Sequence, residues 1–120
     1  MPHLTIQATP NVSITLKETL LKSLNKVLWD SGHFGKPTDI KARIIPIDTF
    51  LVGIEDDEQT NGFIYANLKI MTGRSLDIRN QLAEMLITTI EVELSEKQSE
   101  RVNLQICVEV ENGSGVYHKK

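Results

Sequence analysis

From Val102 to Val110 apolar and polar residues alternate without a break, Val102, Leu104, Ile106, Val108 and Val110 against Asn103, Gln105, Cys107 and Glu109. That period of two predicts a strand with one buried face and one face left for water or a partner. A second alternation opens the chain: Leu4, Ile6 and Ala8 against His3, Thr5 and Gln7. Between them lie two stretches with helical spacing. Leu16, Leu20, Leu21, Leu24, Val27 and Leu28 predict a helix from about Thr15 to Ser31, opened by a capping box at Thr15-Leu16-Lys17-Glu18 and ended by Gly32, Gly35 and Pro37. Leu76, Leu82, Met85, Leu86, Ile90 and Leu94 predict a second amphipathic helix. Isoleucine and valine are dense from Asp39 to Val52, where Pro46 argues for an edge strand or a bulge, and Phe63 to Met71 reads as another strand. The polar run from Glu55 to Gly62, with its Asn-Gly pair, reads as a surface loop that includes the solvated acidic residues Asp56, Asp57 and Glu58.

The order strand, helix, strand therefore occurs twice. It predicts an α+β domain in which two βαβ units, residues 1–54 and 62–111, share a four-stranded sheet with both helices on one face. The two halves repeat the pattern and not the residues. Residues 112–120, with two glycines and a basic end, read as a tail or a short strand bridging subunits. A sheet with helices on one side leaves the other needing cover, and Ile45 and Ile47 add apolar surface there, so oligomerisation is expected.

At 120 residues the chain suits one domain, and its formal net charge of −3 offers nothing to attract a nucleic acid. Cys107 is the only cysteine, which excludes an intrachain disulfide and suits a reducing, cytoplasmic setting. The apolar stretch from Ala42 to Ile54 is broken by Pro46, Asp48 and Gly53, so no membrane span is expected. Glycine-rich phosphate loops, a nucleophile elbow and metal-spaced His or Cys clusters are all absent. His3, His33 and His118 are scattered and read as surface or loop residues. Phe34, Phe50, Phe63, Tyr65 and Trp29 read as core or interface aromatics before any of them reads as a binding wall. Cys107 reads as an inert thiol, buried or at an interface.

Two features remain unexplained: Met1-Pro2-His3 at the start of a strand, and Gly73-Arg74-Ser75-Leu76-Asp77-Ile78-Arg79 at a strand-to-helix junction. Together with Ile40-Lys41-Ala42-Arg43, Ile47-Asp48-Thr49-Phe50, Leu68-Lys69-Ile70 and Glu84-Met85-Leu86, they resemble the 5-carboxymethyl-2-hydroxymuconate delta-isomerase family. That family belongs to the tautomerase superfamily, which also contains macrophage migration inhibitory factor, and the likeness spans nearly the whole chain. It implies removal of Met1, catalysis by the secondary amine of Pro2, and arginines that hold substrate carboxylates. Arg74 falls on one such arginine. At the other position this chain has Lys41, with Arg43 two residues on, and lysine lacks the bidentate fork that fits a carboxylate. The resemblance further implies a homotrimer with sites near subunit boundaries, a dicarboxylate or tricarboxylate substrate from aromatic-acid catabolism, and no cofactor or metal.

The residues support the chemistry independently. A terminal proline is a secondary amine whose ring fixes its lone pair, whereas an internal proline nitrogen is an amide without useful basicity. An ordinary α-amino group has a pKa near 8, too high for an efficient base at neutrality. One positive charge about 6 Å away, at an effective dielectric of about 20, offers roughly 2.8 kcal/mol before screening, or about a hundredfold in that equilibrium. Arg74, Lys41 and Arg43 are the candidate cations. Arg74 has a second advantage, since it stands where a helix begins and free N–H groups favour an anion, with Ser75 as the cap. Set against these readings, Pro2 suits the first position of any strand, Arg74 suits a solvated turn, and Lys41 and Arg43 suit a charged edge strand. A non-catalytic trimer that binds a small acid or a protein partner, and a tautomerase for another enol acid, are the rival functions.

Overall fold

The structure is a computed structural model that describes residues 1–14, 16–94 and 102–120. Its elements are β1 (His3–Ala8), α1 (Lys17–Asp30), a single 3-10 turn (Pro37–Asp39), β2 (Lys41–Pro46), β3 (Asn61–Ile70), α2 (Leu76–Leu94) and β4 (Asn103–Asn112). The sheet order is β2-β1-β3-β4. β1 runs parallel to β2, β3 runs parallel to β4, and β1 meets β3 antiparallel at the centre. Each parallel pair needs a crossover, and α1 and α2 supply one each.

Strand alternation decides which face receives the helices. Leu4, Ile6, Ile64, Ala66, Leu68 and Ile70 are buried and form one core with Leu20, Leu24 and Leu28 of α1 and Leu82, Leu86, Ile90 and Leu94 of α2. Both helices therefore cover the same face, each through a stripe of buried residues spaced four apart. The opposite face carries His3, Thr5, Lys41, Arg43, Tyr65, Asn67, Lys69, Cys107, Glu109 and Glu111. Polar pairs run across it: Tyr65 Oη donates to Glu109 at 2.7 Å, and Lys69 meets Glu111 at 3.3 Å. The Cys107 thiol is free and exposed on this face.

Several boundaries differ from the sequence expectation, each for a local reason. β2 ends at Pro46 rather than Val52 because it is an edge strand whose one neighbour, β1, ends at Ala8, the partner of Pro46. α1 starts at Lys17 behind Leu16, which caps it with extended backbone and no side-chain hydrogen bond. Thr15 of the expected capping box lies outside the described residues. Asn61 and Gly62 belong to β3 rather than to the loop. There Phe63 N donates to the buried Thr9 hydroxyl at 3.0 Å, and the Asn11 amide donates to Asn61 O at 2.9 Å. A Cβ at position 62 would come within 2.9 Å of Thr9 Oγ1 and closer still to Asn11 Oδ1, so these hydrogen-bonded side chains would have to shift to admit one. In the preceding loop the Asp56 carboxylate is not merely solvated. It accepts from the Thr60 amide and hydroxyl, both at 2.9 Å, and from the Asn61 amide at 3.0 Å. Among the described residues, no helix is long and apolar enough to cross a membrane.

Candidate active site

The register of the sheet gathers three chain segments at one end. His3 pairs with Lys69 on one side and Lys41 on the other, so the start of β1 lies beside the end of β3 and the start of β2. Pro2 stands one residue before this ladder and is buried, its carbonyl accepting from Lys41 N at 3.0 Å. By alternation it belongs to the helix-covered face. On that face a cavity of about 80 Å³ is lined by Pro2 and Met1, by His33, Phe34 and Asp39 from the connection after α1, and by Met71 and Arg74 after β3.

Arg74 reaches this cavity from the turn that joins β3 to α2. Gly73, at φ 97°, takes the left-handed conformation that reverses the chain. Ser75 then caps α2, its hydroxyl accepting from Ile78 N at 3.2 Å. The guanidinium is held from behind: Nη2 donates to His33 O at 2.7 Å. The His33 ring in turn meets Gln81 of α2 at 3.2 Å. One N–H of five is thereby used, and the others are available to a carboxylate.

Lys41 and Arg43 do not line the cavity. They share the parity of His3 and Thr5, which places them on the open face. Lys41 Nζ donates to the Asp39 carbonyl at 2.9 Å, and Arg43 Nη2 meets His3 Nδ1 at 2.6 Å. The structure thus brings Pro2 and Arg74 together and leaves the two β2 cations outside. Lys41 still acts at a distance. The amine at the head of the chain, borne by Met1 here, has its pKa lowered from the ordinary 8.0 by burial first and by the Lys41 charge second, with Asp39 opposing and Lys119 assisting.

Sequence reasoning missed Asp39 and the tail's part in the site; His33 does lie in a loop, as expected, and from there it lines the cavity. Among the described residues Asp39 is the one carboxylate on the cavity wall, and Lys119 Nζ approaches it at 3.4 Å. Tyr117 Oη meets His3 Nε2 at 2.8 Å. These contacts span 80 and 114 residues of sequence, a distance over which no local pattern carries information. Phe34, weighed as one of several wall aromatics, is the one that lines this cavity. A neighbouring hollow of about 130 Å³, lined by Met1, Met71, Thr72, Gly113, Gly115 and Tyr117, shares Met1 and Met71 with it. A larger hollow of about 390 Å³ lies at the far end of β1 and β2, with Lys17 and Asp48 as its charged lining residues. Among the described residues, no group of three or more His, Cys, Asp or Glu side chains is placed to hold a metal ion.

Comparison with solved structures places this architecture. A crystal structure of a 5-carboxymethyl-2-hydroxymuconate isomerase from Deinococcus radiodurans R1 superposes with a TM-score of 0.85 at 24% identity, covering 98% of this chain and 88% of that one. A 5-carboxymethyl-2-hydroxymuconate delta-isomerase gives 0.81 at 19% identity, covering 100% and 87%. A fused 4-OT wild type symmetric trimer gives 0.64 at 16% identity, covering 92% and 85%. At these identities the likeness establishes the fold, a four-stranded sheet with two helices as in the tautomerase superfamily. Among curated proteins no match is found. The profile of the 5-carboxymethyl-2-hydroxymuconate isomerase family matches residues 2–120. The chain therefore belongs to the 5-carboxymethyl-2-hydroxymuconate isomerase family and is an enzyme of the isomerase class with a tautomerase fold.

Proposed function

We propose that this isomerase ketonises an unsaturated 2-hydroxy carboxylic acid, with 5-carboxymethyl-2-hydroxymuconate as the first candidate, using the amine of Pro2 as base and then as acid. The observation that carries the reading is that Pro2 and Arg74 line one cavity, at a chain terminus where burial and Lys41 disfavour the protonated amine. Removal of Met1 turns the Pro2 nitrogen from an amide into a secondary amine. It also takes away a side chain that lines both the 80 Å³ cavity and the adjoining 130 Å³ hollow, giving a six- or eight-carbon acid room.

In the reaction, the neutral amine takes the proton of the 2-hydroxyl group. The oxygen electron pair forms the carbonyl, the conjugated double bonds shift by one position, and a distal carbon takes the proton back from the prolinium. Protons and electrons balance within the substrate, and no cofactor enters any step. Arg74 would hold a carboxylate and stabilise the dienolate charge as it spreads.

The domain reading, one domain of two βαβ units, and a cytoplasmic location go with this proposal. So does a homotrimer, because the open sheet face presents Arg43, Lys41 and Ile45 to whatever covers it.

A second reading follows if Met1 is retained. The Pro2 nitrogen stays an amide, and the cavity binds a small acid without turning it over. Intact mass distinguishes the two at once. Ultraviolet assay of 2-hydroxymuconate ketonisation by the native chain and Pro2→Ala then tests the mechanism. A fall of about 10- to 100-fold is expected, because alanine leaves a terminal amine but not one oriented by a ring. Equal rates would end the proline reading.

A further inference from the structure

Asp39 is an awkward neighbour for an anionic substrate. Among the described residues it is the one carboxylate on the wall of the cavity that holds Pro2 and Arg74, and left bare it would offset the Arg74 charge there. The nearby Lys41 does not neutralise it, because its ammonium is spent on the Asp39 backbone carbonyl, not the carboxylate. The cation that does reach the carboxylate comes from the far end of the sequence, Lys119, at 3.4 Å.

The tail's route is defined by contacts and not by chance proximity. After β4, Gly113 N donates to Ile70 O at 2.6 Å, which pins the chain to the end of β3. Ser114 and Gly115 turn it, with Val116 N donating to the Ser114 hydroxyl at 3.2 Å and Gly115 at φ 86°. Tyr117 then docks on His3 at the start of β1, edge to face with ring centres 5.7 Å apart, and Lys119 arrives at Asp39 just before β2. The tail thus crosses the ends of β3, β1 and β2 in turn, with Gly113, Gly115 and Tyr117 lining the hollow beside the cavity and Lys119 reaching the cavity's Asp39.

We infer that Lys119 is a specificity-determining residue of this site: by pairing with Asp39 it cancels the cavity's own carboxylate and lets Arg74 act on an anionic substrate, dicarboxylates above all. The inference rests on the reading of the cavity as a carboxylate site. The Lys119 and Asp39 side chains are 50% and 26% exposed, so their pair adds little to folding stability. Its consequence falls on what enters the cavity. A substrate carboxylate meets a paired Asp39 in the native chain and an unpaired one when the lysine is lost.

The test uses the full-length protein and adipate, a saturated six-carbon dicarboxylate that cannot tautomerise, titrated by calorimetry beside 2-hydroxymuconate kinetics. Lys119→Ala should weaken adipate by about tenfold and raise KM more than it lowers kcat, while Lys119→Arg stays within about twofold. In an Asp39→Asn background the cost of Lys119→Ala should drop below about twofold, since no carboxylate remains to be neutralised. Unchanged affinity in Lys119→Ala overturns the inference, as does an equal loss in the Asp39→Asn background or a native protein that takes up no adipate. Lys119-dependent adipate binding without ketonisation would sink the proton-transfer reading and leave the role of Lys119 standing.

Discussion

Arg43 and His3, on neighbouring strands of the open face, meet through Nη2 and Nδ1 at 2.6 Å. A guanidinium has only donors, so this ring nitrogen must accept and the His3 proton sits on Nε2, aimed at Tyr117 Oη 2.8 Å away. One strand cation thereby sets a histidine tautomer, and that tautomer anchors the tail that carries Lys119.

It follows that His3 resists protonation. Its pKa is lowered from 6.5 by burial first, then by Arg43, Lys41 and the terminal amine. Because the folded value lies below the unfolded one, the stabilisation from this contact is fully present above pH 6.5 and is lost as pH falls through the folded value. Ring-carbon NMR should show a midpoint below 6.5 in the native protein and an upward move in Arg43→Ala. The move should be partial, because burial is the largest cause and survives the substitution.

Lys41→Ala should move the acid limb of the kcat/KM profile to higher pH. The Lys41 charge is the second cause, after burial, of the lowered pKa of the Met1 amine; an amine exposed at Pro2 by loss of Met1 should feel the same charge, and removing a positive charge makes an amine easier to protonate. Lys41→Arg keeps the charge and should keep the limb. A profile in Lys41→Ala that overlays the native one would count against Lys41 as an electrostatic partner of the base.

Arg74→Lys should raise KM for a dicarboxylate by about tenfold, since an ammonium holds a carboxylate as a point charge and not through two parallel N–H bonds. Arg74→Ala should cost more, because it also strips the His33 carbonyl of its 2.7 Å donor. Steady-state kinetics on each variant, with circular dichroism to show that the fold is kept, provide the check.

Asp56 has a structural task that acid should reveal. Its pKa is lowered from 3.8 chiefly by the Thr60 amide, against some burial, with the Thr60 hydroxyl and Asn61 adding to the effect. The stabilisation is present above pH 3.8 and lost as pH falls through the folded value. Asp56→Ala should lower the melting temperature at pH 7, and the gap to the native protein should close in strong acid. A constant gap would mean that the charge is irrelevant to the loop.

The alternation in Leu4, Ile6 and Ala8, and the helical spacing of Leu20, Leu24 and Leu28, were legible because each records a local periodicity that one buried face imposes on its own element. The end of β2 was not legible. Ile47 to Val52 are as strand-like as Lys41 to Pro46, and only the shortness of β1 denies them a partner. The site divides the same way. Met1-Pro2 and Gly73-Arg74-Ser75 could be picked out as unusual in the sequence, whereas the exclusion of Lys41 and Arg43 from the cavity depends on which side of a paired strand they face.

What the linear order of residues determined by itself was the plan: two strand-helix-strand passes, their buried faces, and a proline and an arginine each placed at the start of an element. Those are properties of neighbours along the chain, and short-range geometry suffices to specify them. Tertiary structure alone decided that Asp39 stands beside Pro2 and that Lys119 and Tyr117 return to Asp39 and His3. Such meetings depend on how β1, β2 and β3 register against one another, and that register is set by the packing of the whole sheet rather than by any segment of it.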